Sequence, residues 1–156
     1  MSINKYNAEG YADPTSYEAL TKISKEEKKA GFRPLVFICS PFAGDVDINV
    51  RNAQRYCRFA VGQKVIPVAP HLFFPQFMND KIKEERDLAL FMGRMFLIRC
   101  TALWVFGSRI TNGMAGEIHK AKCRGITIRY FNENCEEIEN ERAKARHDPV
   151  SCGLPG

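Results

Sequence analysis

Four short apolar runs alternate with longer stretches of helical spacing, and this alternation constrains the chain more than any other feature. The runs are Leu35 to Cys39 (LVFIC), Val65 to Ala69 (VIPVA), Thr101 to Phe106 (TALWVF) and Ile126 to Phe131 (ITIRYF). The first three lack polar alternation, which suits strands covered on both faces as in a parallel sheet, and the fourth reads as a strand from its β-branched and aromatic residues. Parallel neighbours need crossovers of a dozen residues or more, and the intervening segments are long enough to supply them. Right-handed crossovers on such strands predict an α/β fold, an open Rossmann-like sandwich with a mainly parallel sheet of four to five strands flanked by helices.

The helical segments can be placed from their spacing. Asp13, Pro14 and Thr15 open a leader helix running to Ala30, with Tyr17, Leu20 and Ile23 on one side before a charged end. Val50, Ala53, Tyr56, Cys57 and Ala60 mark a helix over 47–61, and further helices are expected over 82–99 and 114–122, the latter stopped by Gly125. Pro67 removes a donor from the second strand and favours an edge position. The stretch 71–77, bounded by Pro70 and Pro75, reads as an aromatic loop. These elements divide the chain into a leader (1–33), an α/β domain (34–132) and a tail (133–156) with a short helix over 136–145 and a loose end.

With 156 residues the chain is the size of one domain, and its 45% apolar and 26% charged residues are ordinary for a globular protein. No apolar run approaches the roughly 20 residues of a membrane-spanning helix. Met1 to Asn7 lacks the layout of a secretory signal, so a cytoplasmic location and no membrane partner are expected. Six scattered cysteines without a C-x-x-C pair read as reduced thiols, and their spacing supports no metal site. A net charge of +5 from interspersed residues hints at anionic ligands; no duplex-nucleic-acid signature accompanies it.

In open parallel sheets ligands collect beyond the carboxyl ends of the strands. Three loops meet that condition. In the first, Ser40, Ala43, Gly44 and Asp45 can hold an anion or sugar, or can simply form a strand-to-helix turn. Neither a P-loop nor a G-x-G-x-x-G pattern is present. The second offers His71, Phe73, Phe74, Gln76 and Phe77, suited either to stacking on a flat base and bonding its edge or to core packing. The third gathers Ser108, Thr111, Asn112 and Gly113 ahead of a helix whose first turn carries Glu117, a carboxylate that either stabilises the helix start or faces a ligand.

Residues 36–44 (VFICSPFAG), 104–108 (WVFGS) and 113–118 (GMAGEI) together resemble the nucleoside 2-deoxyribosyltransferase superfamily, most of all its small prophage-type members. The resemblance spans about Pro34 to Phe131 and implies nucleoside or nucleotide substrates, no cofactor or metal, and a homo-oligomer, dimer or larger. It places Glu117 at the position of the glutamate that attacks the anomeric carbon, where an ionised carboxylate meets an oxocarbenium-like centre and forms a glycosyl ester. It further implies that Ser108 and the N–H groups of Gly113 and Met114 bracket the sugar or a phosphate, and that Phe37 and Phe42 lie near the site. One departure stands out. Gly93 falls where active members carry an aspartate, and Asp87 is nearly two helical turns away.

Two functions are therefore expected: N-glycosidic cleavage or (deoxy)ribosyl transfer with Glu117 as nucleophile, or, because of Gly93, non-catalytic capture of a nucleotide or nucleotide-derived signal. A purely structural scaffold is a third reading.

Overall fold

The computed structural model describes residues 5–6 and 9–139. Its contacts separate two units, 1–33 and 34–156. In the first, α1 (Pro14–Ala30) starts at Asp13, whose carboxylate caps it by accepting from the Ser16 N–H at 3.1 Å.

The second unit is the expected open α/β sandwich. In chain order it contains β1 (Leu35–Cys39), α2 (Val46–Gly62), β2 (Ile66–Val68), α3 (Pro70–Phe73), a 3-10 turn (Phe74–Gln76), α4 (Lys83–Leu97), β3 (Ala102–Phe106), α5 (Asn112–Cys123), β4 (Thr127–Phe131) and β5 (Glu137–Ile138). The sheet order is β2-β1-β3-β4-β5, parallel except for β5. Chain progression reverses between β1 and β3, which makes their carboxyl ends the topological switch point.

Both faces of the central strands are covered, as the unbroken apolar runs require. Val36, Ile38, Trp104 and Phe106 pack with Tyr56 and Ala60 of α2, and Tyr56 stacks on Phe106 at 4.4 Å. On the other face Phe37, Cys39, Leu103 and Val105 meet Leu97 of α4 and Met114 and Ala121 of α5. Each fully buried aliphatic side chain contributes roughly 1.5–3 kcal/mol, so the two faces together fix strand register. Gly125 adopts φ 66°, the left-handed conformation that stops α5 and turns the chain into β4.

Two expected elements differ. The aromatic loop is helical, because Pro70 and Pro75 each occupy the opening turn of a short helix, where a missing N–H costs nothing. The expected tail helix over 136–145 is replaced at its start by β5, which pairs with β4 through Tyr130 and Ile138; residues from 140 onward lie outside the described residues. Pairing with an exposed sheet edge satisfies backbone groups that a solvated helix end leaves open. The thiols of Cys39, Cys57, Cys100 and Cys135 are free as expected, whereas Cys123 is disulfide-bonded. Among the described residues no helix is long and apolar enough to cross a membrane.

Candidate active site

A cleft of about 350 Å³ opens at the switch point, within the size range of small-molecule sites. Three walls form it: Ser40, Phe42 and Ala43 after β1; Pro70 to Asp80 around the short helices; and the facing sides of α4 and α5. Phe42, Phe74, Pro75, Met78 and Leu90 give the cleft apolar surface beside its polar groups.

Glu117, partly buried on α5, lines the cleft. Thr111 caps this helix by accepting from the Met114 N–H at 3.3 Å, so the orientation of Glu117 one turn later is set by the cap and by the burial of Met114. Burial raises the Glu117 pKa to about 7, while a hydrogen bond from the Cys39 thiol and the positive charge of Arg94 pull it back down. Cys39, fully buried at the end of β1, is itself pushed well above the usual thiol range by burial first and by the charge of Glu117 second.

Beside it, Ser40 Oγ and His71 Nε2 are hydrogen-bonded at 3.0 Å, with Phe42 edge-on to the imidazole at 6.4 Å. Burial lowers the His71 pKa to about 4, so the ring is neutral at pH 7 and offers one donor and one acceptor. Asn79, Asp80, Glu85 and Arg86 line the cleft as well. There the Asn79 N–H donates to Glu85 Oε2 at 2.6 Å, and Arg86 Nε lies 3.9 Å from Asp80 Oδ1.

Of the residues singled out from sequence, Ser40, Phe42, Ala43, His71, Phe74, Asn112, Gly113 and Glu117 line this one cleft. Five others do not. Phe37 is wholly buried in the core beneath β1, because its side chain leaves the strand toward α4 and α5. Met114 is likewise a core residue and its N–H is taken by Thr111. Ser108 is turned to Glu133, whose Oε1 accepts from its N–H at 2.9 Å and its hydroxyl at 2.6 Å. Asp45 caps α2 through the Ile48 N–H at 3.2 Å, and Gly44 lies near Arg109, both outside the cleft lining. These two therefore follow the turn-forming reading of the first loop.

Of the α4 wall the family resemblance points only to Gly93, and the sequence reading does not reach Glu85, Arg86, Ala89 or Leu90. Glu85, Arg86, Ala89, Leu90 and Gly93 recur at helical spacing and share one face, a pattern visible in the sequence once the helix is assigned. Among the described residues no group of three His, Cys, Asp or Glu side chains is placed to hold a metal ion.

This open α/β sandwich matches a 2-deoxyribosyltransferase-like fold. It superposes on a 2-deoxyribosyltransferase from Bacillus psychrosaccharolyticus with a TM-score of 0.51 at 17% identity, covering 68% of this chain and 77% of that one. Residues 34–131 match the family model described as Domain of unknown function (DUF7768), and the chain belongs to that family. It is also 31% identical over 97 residues to an indole-3-acetaldehyde oxidase of Arabidopsis thaliana; the match takes in 53% of this chain but spans only 7% of that protein's length.

Proposed function

We propose that the protein cleaves or transfers the N-glycosidic bond of a nucleoside or nucleotide, with Glu117 as nucleophile. The observation that carries this reading is a carboxylate lining a cleft at the switch point, with no ion-pair partner among the described residues. Structural ion pairs hold most partly buried carboxylates; one left facing a cavity is available to a ligand.

The chemistry follows from charge. A carboxylate with a pKa of about 7 is largely ionised at slightly alkaline pH and more nucleophilic than an ordinary one. An oxygen of Glu117 attacks the anomeric carbon as the C–N bond breaks with its electron pair passing to the base, which takes a proton from solvent. The resulting ester is opened at the same carbon by water, giving free sugar, or by the ring nitrogen of a second base, giving transfer. The neutral Ser40–His71 pair supplies hydrogen bonds to the base without adding charge beside the developing cation. Phe42 and Phe74 provide flat apolar surface for it. No cofactor is required. The reading includes a cytoplasmic setting and assembly of copies into a dimer or larger.

Purified protein is incubated with ribo- and 2′-deoxyribonucleosides and their 5′-monophosphates, and free base is separated and quantified. Release by the wild type and its loss, by at least about 10³-fold, in Glu117→Ala is the expected result. No release by either protein overturns catalysis.

A second reading, binding without turnover, is favoured by one observation. The other carboxylates of the cleft, Asp80 and Glu85, are each engaged, by Arg86 and by the Asn79 N–H. Recovery of a nucleotide chemically unchanged from the wild-type protein supports that alternative.

A further inference from the structure

We propose that Gly93 determines sugar specificity, its missing side chain leaving room for the 2′-hydroxyl so that glycosides of ribose are preferred over those of 2-deoxyribose. The inference rests on the reading of Glu117 given above and deepens it.

Gly93 is buried in the interior of α4, where glycine weakens a helix relative to alanine. A glycine in that setting commonly answers a need of the backbone or of close packing. Neither need exists here. Its conformation is that of an ordinary α-helix, and a Cβ built on it meets only Pro70, at 3.8 Å from Cβ and 4.0 Å from Cγ, which is normal van der Waals contact. Alanine would fit and would strengthen the helix, so the fold does not call for the smaller residue.

The cleft does. Gly93 lines it together with Arg86, Ala89 and Leu90, and the next residue, Arg94, is near enough to Glu117 to act on its charge. Gly93, Pro70 and Glu117 line the same cleft, and the 2-carbon of the sugar is one bond from the centre that Glu117 attacks. A helical side chain covers the turn that precedes it, so its absence at 93 bares the backbone around Ala89 and Leu90. Helical carbonyls keep a second lone pair, able to accept from a hydroxyl and of no use to a C–H. Vacant volume beside an available acceptor favours the 2′-hydroxyl sugar.

The test compares adenosine, guanosine, cytidine and uridine, and their 5′-monophosphates, with the 2′-deoxy counterparts, using wild type and Gly93→Ala. The wild type is expected to favour the ribose series, and Gly93→Ala to melt at a higher temperature while lowering kcat/KM for ribose at least tenfold more than for deoxyribose. A wild-type preference for deoxyribose, an unchanged ratio, or a lower melting temperature in the variant overturns the proposal. If the wild type releases no base, the reading of Glu117 as nucleophile fails by itself. The same ratio is then read as binding by calorimetry, where a ribose preference erased by Gly93→Ala sustains the role of Gly93 and no preference overturns it.

Discussion

The thiol of Cys39 at the end of β1 donates to the Met114 carbonyl of α5 at 4.0 Å and lies close enough to Glu117 to act on its carboxylate, joining strand and helix across the switch point. This contact lowers the Glu117 pKa against the opposing and larger effect of burial. Cys39→Ala is expected to shift the acidic limb of the pH–rate profile upward, because the ionised Glu117 loses a polar neighbour that favours it. Cys39→Ser keeps a donor and is expected to leave the limb within about 0.3 unit of wild type. Base release measured from pH 5 to pH 9 checks both; an unmoved limb in Cys39→Ala refutes the contact.

Glu117 and His71 make opposite contributions to the pH dependence of stability. Glu117 binds its proton more tightly in the folded state, with a pKa of about 7 against the ordinary 4.5, so its contribution is greatest at low pH and is lost as pH rises through that window. His71 binds its proton less tightly when folded, about 4 against 6.5, so its contribution is lost as pH falls from 6.5 toward 4. Each amounts to at most about 3 kcal/mol, and between about pH 4.5 and pH 6.5 they largely offset each other. Urea denaturation of Glu117→Gln should show stability rising with pH across this interval, and His71→Asn should show it falling.

Thr111 supports α5 at its start, accepting from the Met114 N–H. Thr111→Ala is expected to cost about 1 kcal/mol by chemical denaturation. Because the helix carries Glu117, base release should fall more than the lost folded fraction explains, by several-fold. Thr111→Ser keeps the accepting oxygen and should restore both.

Phe74 is buried against Phe73, Phe77 and Phe96 and also faces the cleft. Phe74→Leu is expected to cost about 1 kcal/mol of stability and to raise KM more than it lowers kcat, since the flat wall for the base is lost while the nucleophile stays. Steady-state kinetics separate the two parameters.

Much of the fold is legible in the sequence because the central strands are buried on both sides. Residues 35–39 were bounded correctly, since an unbroken apolar run between Pro34 and Ser40 has one natural extent. Pro67 pointed to the edge position that β2 occupies. The short helices at 70–76 were not legible, because prolines that end one helix also begin another and only the neighbouring chain decides which. At the cleft, strand-end loops were a sufficient guide to Ser40, His71 and Glu117. They were not a guide to Arg86 or Gly93, which reach it from a helix packed across the loops, nor to Ser108, which is held by Glu133 from beyond β4. Phe37 shows the limit of transferring a role by position alone: a strand residue points to one face or the other, and this one points into the core.

The two borders of the sheet have a further consequence. One border strand, β2, carries Pro67, which offers no N–H, and the other, β5, is two residues long and held by paired hydrogen bonds from Arg129 to Glu137 at 2.8 and 2.6 Å. Neither presents a clean row of donors and acceptors on which another chain could template a strand. Among the described residues, ribbon-like polymerisation is thus discouraged from both borders of the sheet.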